Sequence, residues 1–199
     1  MKRLFDVTVS SIFILLTFPL WMAIAIAIKL DSPGPVFYWG KRVGKSGEPF
    51  RIFKFRTMVA NAAKQGPGIT GEKDSRITRV GRWLRKYKLD EMPQLFNVIL
   101  GDMSIVGPRP EDPTFVGHYS EKQREVLSVR PGMASPAFIK YRDEEKILAD
   151  YCGDDFEAFY KDEILPKKLD LDLKYIEDQS FFGDLEIFLS AFLSIINRK

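Results

Sequence analysis

The sequence predicts an α-rich α/β fold: several helices around a small sheet, preceded by an apolar N-terminal helix. Three observations carry this. The 22 residues from Val7 to Ile28 contain no charge. Downstream, segments that alternate apolar and basic residues flank a glycine-bounded turn at Gly44 to Gly47. From Ile77 onward, apolar residues recur in blocks at helical spacing.

The first element is the apolar run. About 20 apolar residues suffice to cross a bilayer core as a helix. The run is too long for the apolar region of a signal peptide, and no small-x-small cleavage pattern follows it. Pro19 lies within it, and an internal proline kinks or breaks a helix. Both flanks are basic: Lys2 and Arg3 before, Lys29, Lys41, Arg42 and Lys45 after. Positive flanks favour the cytoplasmic side. The pattern alone fits a single span and a re-entrant hairpin equally well.

After the turn-rich stretch DSPGP, the segment GKRVGKSGEPFRIFKFRTM predicts a hairpin, with Phe50, Ile52 and Phe53 as its apolar strand residues. Lys54 and Arg56 alternate with Phe53 and Phe55, which places the two basic residues on one face. Asn61 to Ser75 reads as a polar, glycine-rich loop without a phosphate-loop motif. Ile77, Val80, Trp83, Leu84 and Tyr87 give a helix with arginines on its other face. Pro93 suits a first helical turn, and the apolar helix that follows stops near Gly101. Asp154–Leu165 and Leu169–Gln179 read as surface helices. Phe182–Ile196 is amphipathic, with Leu185, Phe188, Leu189, Phe192, Leu193 and Ile196 on a broad apolar side, suited to a core or to a membrane interface.

Composition narrows the function classes. With 45% hydrophobic residues the chain can build a core, which excludes general disorder. One cysteine, Cys152, and one histidine, His118, exclude an internal disulfide and a Cys/His zinc cluster; both read as ordinary residues. A net charge of +3 and the lack of any recognised binding motif argue against nucleic acid.

Asp90 and Glu91 sit side by side in KLDEMPQLFNV. As structure, Asp90 reads as a helix N-cap and Glu91 as a favourable first-turn residue. As chemistry, one carboxylate can attack phosphorus and a second can act as a base. That chemistry requires cations around the transferring group. Lys54, Arg56, Arg85, Arg109 and Arg130 are candidates, and prolines restrict the backbone around Arg109 and Arg130. A non-enzymatic alternative also fits: a basic membrane-surface protein that binds anionic lipid or a partner.

The chain resembles the monotopic phosphoglycosyl transferases of the bacterial sugar transferase family. The resemblance rests on KRLFDV, the proline-interrupted apolar helix, FKFRTM, VGRWLRKYKLDEMPQLFNVILGDMSIVGPRP and VRPG, which cover most of Met1 to Gly132. It implies transfer of a sugar phosphate from a nucleotide sugar, usually a UDP-sugar, to a polyprenol phosphate such as undecaprenyl phosphate. UMP is released by a ping-pong route. It implies Asp90 as nucleophile, Glu91 as base, and Mg²⁺ beside Asp90 and the diphosphate. Lys54, Arg56, Arg85, Arg109 and Arg130 become phosphate ligands, and Lys2 and Arg3 hold the N-terminus at lipid headgroups. The apolar helix becomes re-entrant, broken at Pro19. Residues 1–30 form that element and 31–199 a membrane-associated catalytic domain, together one functional unit at the cytoplasmic face of the bacterial inner membrane. The sequence departs from the family pattern twice. Phe18 stands where serine commonly precedes the proline. MASPAFIKYRDEEKILADY follows VRPG where many members have a Gly-Leu-Ala-Gln-Val-like run, which leaves the sugar open.

Overall fold

The structure is a computed structural model that describes residues 1–62, 65, 66, 74–151 and 155–196. It is helix-rich, and its β-structure is smaller and more divided than a single sheet. Strands β1 (Phe37–Val43) and β2 (Pro49–Phe55) pair antiparallel, with Gly40 opposite Ile52. The predicted turn joins them: Ser46 and Gly47 take positive φ, which reverses the chain in few residues. A second, parallel pair joins β3 (Ser104–Val106) to β4 (Gly132–Ala134). This pair brings the VGPRP and VRPG segments together. A Cβ on Gly132 would lie 2.1 Å from the Gly107 nitrogen, so the two backbones touch where only glycine fits.

Helix α1 (Lys2–Asp31) runs unbroken through Pro19, which corrects the expected break. Pro19 lies on the exposed face, where the missing N–H costs least. On the inner face, Thr17 Oγ1 donates to the Phe13 carbonyl (2.6 Å) and accepts from Trp21 Nε1 (3.0 Å). This chain spans the proline position and supplies a hydroxyl one residue before Phe18, whose own side chain points outward. The buried stripe Asp6, Ser10, Trp21, Ile24 and Ile28, with Phe13 and Thr17 partly covered, follows spacings of three and four. So α1 lies along the body. Its outer face, with Leu15, Leu16, Phe18, Met22 and Ile26, stays exposed.

Helices α2 (Arg79–Lys86) and α3 (Gln94–Leu100) appear where the periodicity puts them, α2 capped by Thr78 and α3 ended by Gly101 at φ 97°. Trp83, expected on the apolar side of α2, is half exposed. Phe55, Leu84 and Leu95 pack with Trp21, Ile24 and Ile28 to join α1 to the hairpin. Short helices α4 (Pro113–Val116), α5 (Glu121–Arg124), α6 (Pro136–Lys140), α7 (Glu144–Asp150) and α8 (Phe156–Phe159) follow. A π-turn at Tyr160–Ile164 leads into α9 (Leu165–Glu177). The surface-helix reading of this region fails for α9: Leu165, Lys168, Leu169, Asp172, Leu173 and Tyr175 are buried. The leucines offered an apolar stripe, and α6 and the chain after α5 cover it. Helix α10 (Phe181–Ile196) splits its apolar residues. Phe188 and Ala191 face the core, while Phe182, Leu189, Phe192 and Leu193 remain exposed. Phe5 and Phe13 of α1 meet Phe181, Phe188 and Phe192 edge to face. Cys152 and most of the 63–73 loop lie outside the described residues, and His118 is exposed.

Candidate functional site

The site begins where α2 ends. Lys88 takes a left-handed conformation (φ 55°) and turns the chain into a 3₁₀ turn, Leu89–Glu91. This turn, not α3, carries the two carboxylates. The N-cap position of α3 belongs to Pro93, and Asp90 makes no capping bond, so the capping reading is corrected. Both carboxylates are buried, at 6% and 7% exposure. Burial of charge demands partners. Glu91 has them: Oε1 accepts from Lys54 Nζ (2.8 Å) and from Arg109 Nη2 (2.5 Å), and Oε2 from Arg109 Nη1 (3.3 Å). Asp90 Oδ1 is buried with no hydrogen-bond partner among the described residues. The sequence's adjacent pair therefore divides into one satisfied carboxylate and one with a buried oxygen that has no partner among the described residues.

The electrostatics follow the contacts. Burial would raise the Glu91 pKa, but Arg109 and Lys54 outweigh it and hold the group well below the usual carboxylate range. Burial pushes Lys54 below its ordinary value against the attraction of Glu91 and Asp90. Arg109 is buried as well, yet Glu91 raises its pKa above the ordinary guanidinium value. Glu91 and Arg109 are both charged at neutral pH.

Arg109 is fixed from both sides. Pro108 and Pro110 limit its backbone. Its N–H donates to Asp172 Oδ2 of α9 at 3.2 Å, and its guanidinium lies 5.6 Å from the centre of the Phe138 ring. Burial pushes Asp172 up to about 6. Next to this loop, Lys168 Nζ donates to Glu111 (3.0 Å), Glu144 (2.9 Å) and Tyr160 (2.7 Å). Sequence reasoning missed Lys88, Glu111, Glu144, Lys168 and Asp172. A signal existed for two of them: Lys168 and Asp172 interrupt the apolar stripe of α9 four residues apart.

Of the basic candidates, the structure brings Lys54 and Arg109 to the carboxylates. Arg85 Nε donates to Thr57 Oγ1 at 2.9 Å. Arg56 instead caps α1, donating to the carbonyls of Ser32 (2.7 Å), Pro33 (2.5 Å) and Ile28 (3.4 Å). Arg130 Nε donates to the Gly101 carbonyl (2.7 Å) and Arg3 to those of Val98 (2.5 Å) and Ile99 (2.8 Å), so both serve the end of α3. Lys2 pairs with buried Asp184 at 2.5 Å and donates to the Val106 carbonyl at 2.8 Å. The sequence could not separate these roles, because helix-end carbonyls and phosphate oxygens are both acceptors for a cationic fork.

Among the described residues no group of three or more His, Cys, Asp or Glu is placed to hold a metal. Asp90 offers a single unsatisfied carboxylate oxygen. That donor set suits Mg²⁺, which binds through one or two carboxylates and substrate phosphates.

A family model described as bacterial sugar transferase matches residues 1–198. The UDP-N-acetylgalactosamine-undecaprenyl-phosphate N-acetylgalactosaminephosphotransferase of Aeromonas hydrophila is 37% identical over 98% of this chain and 43% of its own length. The UDP-glucose:undecaprenyl-phosphate glucose-1-phosphate transferase of Escherichia coli (strain K12) is 35% identical over the whole chain and 41% of its own length. A protein of the same name from Caulobacter vibrioides is 35% identical over 98% of this chain and 69% of its own length. The chain thus spans about two fifths of the length of the first two relatives.

Proposed function

The chain belongs to the bacterial sugar transferase family, and we propose that it moves a sugar-1-phosphate from a UDP-sugar to undecaprenyl or a related polyprenol phosphate. The observation that carries this is the division of labour between Asp90 and Glu91. A buried carboxylate oxygen without a partner is costly, and here it stands next to a carboxylate that holds two cations, Lys54 and Arg109, in place.

In this reading an Asp90 oxygen attacks the phosphorus that bears the sugar. The bond to the UMP oxygen breaks, and UMP leaves with the electron pair. The aspartyl-phosphosugar is then attacked by a phosphate oxygen of the polyprenol phosphate, which releases the Asp90 carboxylate and forms the diphosphate product. Lys54 and Arg109 supply fixed positive charge beside the transferring group. Glu91 orients both cations. Its depressed pKa weakens it as a proton acceptor. The acceptor needs little such help, since a phosphate monoester is largely dianionic at neutral pH. Mg²⁺ held by Asp90 and the diphosphate would supply further charge neutralisation.

We also place the protein on the cytoplasmic face of the bacterial inner membrane, with α1 entering one leaflet and not crossing. Both ends of α1 dock on the same body, Lys2, Arg3 and Asp6 at one end and Ile28 with Arg56 at the other. A span of this 30-residue helix, about 45 Å long, would separate those partners across the bilayer.

Intact-mass measurement after incubation with UDP-sugars alone tests the mechanism. The wild type gains one sugar phosphate with stoichiometric UMP, and Asp90→Asn gains none and does not turn over. Normal turnover by Asp90→Asn refutes the covalent route.

A further inference from the structure

A small cleft opens beside Arg109. Its walls include Lys88, Arg109, Phe138, Tyr141, Glu144 and Lys168. It therefore shares two residues with the carboxylate site: Lys88, which turns the chain into Asp90, and Arg109, which grips Glu91. The other walls come from α6, the residues after it, and α7. These lie in the segment that departs from the family pattern, while Lys168 rises from α9.

Four cations line the cleft, Lys88, Arg109, Arg142 and Lys168, which suits a phosphate. Beside them it offers the Tyr141 phenol and the Glu144 carboxylate. The Tyr141 ring packs against the core, and its hydroxyl has no hydrogen-bond partner among the described residues. Glu144 is partly exposed, and one of its oxygens is held by Lys168 at 2.9 Å, which fixes its direction. A carboxylate held in place and a hydroxyl without a partner among the described residues together match the hydroxyls of a sugar.

We propose that this cleft takes the sugar of the donor, with Tyr141 and Glu144 as the residues that select it. The inference rests on the transferase reading and adds where selection occurs. Similarity supports the need for a local determinant. Relatives whose names specify N-acetylgalactosamine and glucose are 37% and 35% identical to this chain, so overall likeness does not choose between them.

The test uses the full chain in membranes with undecaprenyl phosphate and four donors: UDP-glucose, UDP-galactose, UDP-N-acetylglucosamine and UDP-N-acetylgalactosamine. The readouts are kcat/KM for each donor and inhibition by UMP. Glu144→Gln lowers kcat/KM for the preferred donor roughly 10- to 100-fold and flattens the preference among donors, leaving UMP inhibition within about twofold. Tyr141→Phe keeps the ring and its packing, and shows the same flattening on a smaller scale. It carries the test if Glu144→Gln unsettles Lys168 and fails to fold. An equal loss across all donors in both variants overturns the assignment. So does a shift in UMP inhibition, which would place the nucleotide in the cleft. Absence of turnover by the wild type with every donor instead sinks the transferase reading, and the inference with it.

Discussion

Replacing Glu91 with glutamine removes the carboxylate that Lys54 and Arg109 share, and the consequence can be worked from the contacts. The side chains of all three residues are mostly buried, with 9% exposure for Glu91, 20% for Lys54 and 25% for Arg109. Breaking a buried ion pair from one side costs about 3–5 kcal/mol, because the remaining charge is left uncompensated. Here two cations are left facing each other. A domain of this size is stable by roughly 5–15 kcal/mol, so Glu91→Gln removes a large share. At about 2–4 °C per kcal/mol, the melting temperature falls by roughly 6–20 °C. Thermal unfolding followed by circular dichroism measures this. The pH adds a signature. In the variant, Lys54 keeps the burial that already lowers its pKa and loses its nearest anion. The folded state then binds fewer protons than the unfolded state, so the deficit shrinks as the pH rises. Adding Lys54→Met removes one of the repelling cations and restores at least about 1 kcal/mol relative to the sum of the single effects. A Glu91→Gln variant within about 1 kcal/mol of wild type, or strict additivity in the double variant, refutes the ion-pair account.

Asp172 makes the opposite prediction for pH. Its carboxyl is raised to about 6 by burial, so the folded state holds a proton that the unfolded state releases at lower pH. Its contribution to stability therefore declines as pH rises from about 4 to 6, by roughly 3 kcal/mol; Asp172→Asn flattens that slope in denaturant titrations. Gly132→Ala drives a Cβ to within 2.1 Å of the Gly107 nitrogen, parts β3 from β4, and costs about 3 kcal/mol or more in urea unfolding. Asp184→Ala strips both Lys2 (2.5 Å) and the Tyr175 hydroxyl (2.6 Å) of a buried acceptor. Amide exchange in the first turns of α1 then accelerates, while exchange in α3 is unchanged.

Much of the fold was legible from local pattern. The hairpin followed from alternation around Gly44 and Gly47, and α3 from its apolar residues bounded by Pro93 and Gly101. Strand pair β3–β4 was not, because three-residue strands carry too little periodicity to register. The C-terminal region misled for a related reason. Charges scattered through Leu165–Glu177 look like a solvated face until Lys168 and Asp172 are seen to meet Glu111, Glu144 and the Arg109 backbone. Residue type and neighbourhood single out Asp90, Glu91, Lys54 and Arg109, and the structure brings the Lys54 and Arg109 side chains onto Glu91, next to Asp90. The same grounds single out Arg56 and Arg130, whose side chains donate to carbonyls at helix ends.

By itself, the sequence determined that an apolar N-terminal helix precedes an α-rich domain, that a hairpin ends in basic residues, and that two carboxylates lie between an arginine-rich helix and a proline-fixed arginine. These are properties of neighbours along the chain, set by periodicity and backbone restriction. Tertiary structure decided which carboxylate is bound and which is left open, and which cations attend them. Glu91 and Arg109 are 18 positions apart, and Glu91 and Lys54 are 37. Their contact depends on the 3₁₀ turn after Lys88 and on the docking of β2 and the Pro108–Pro110 loop around it. Tertiary structure also carried α1 through Pro19, because the body buries one stripe of the helix while Pro19 lies on the exposed face.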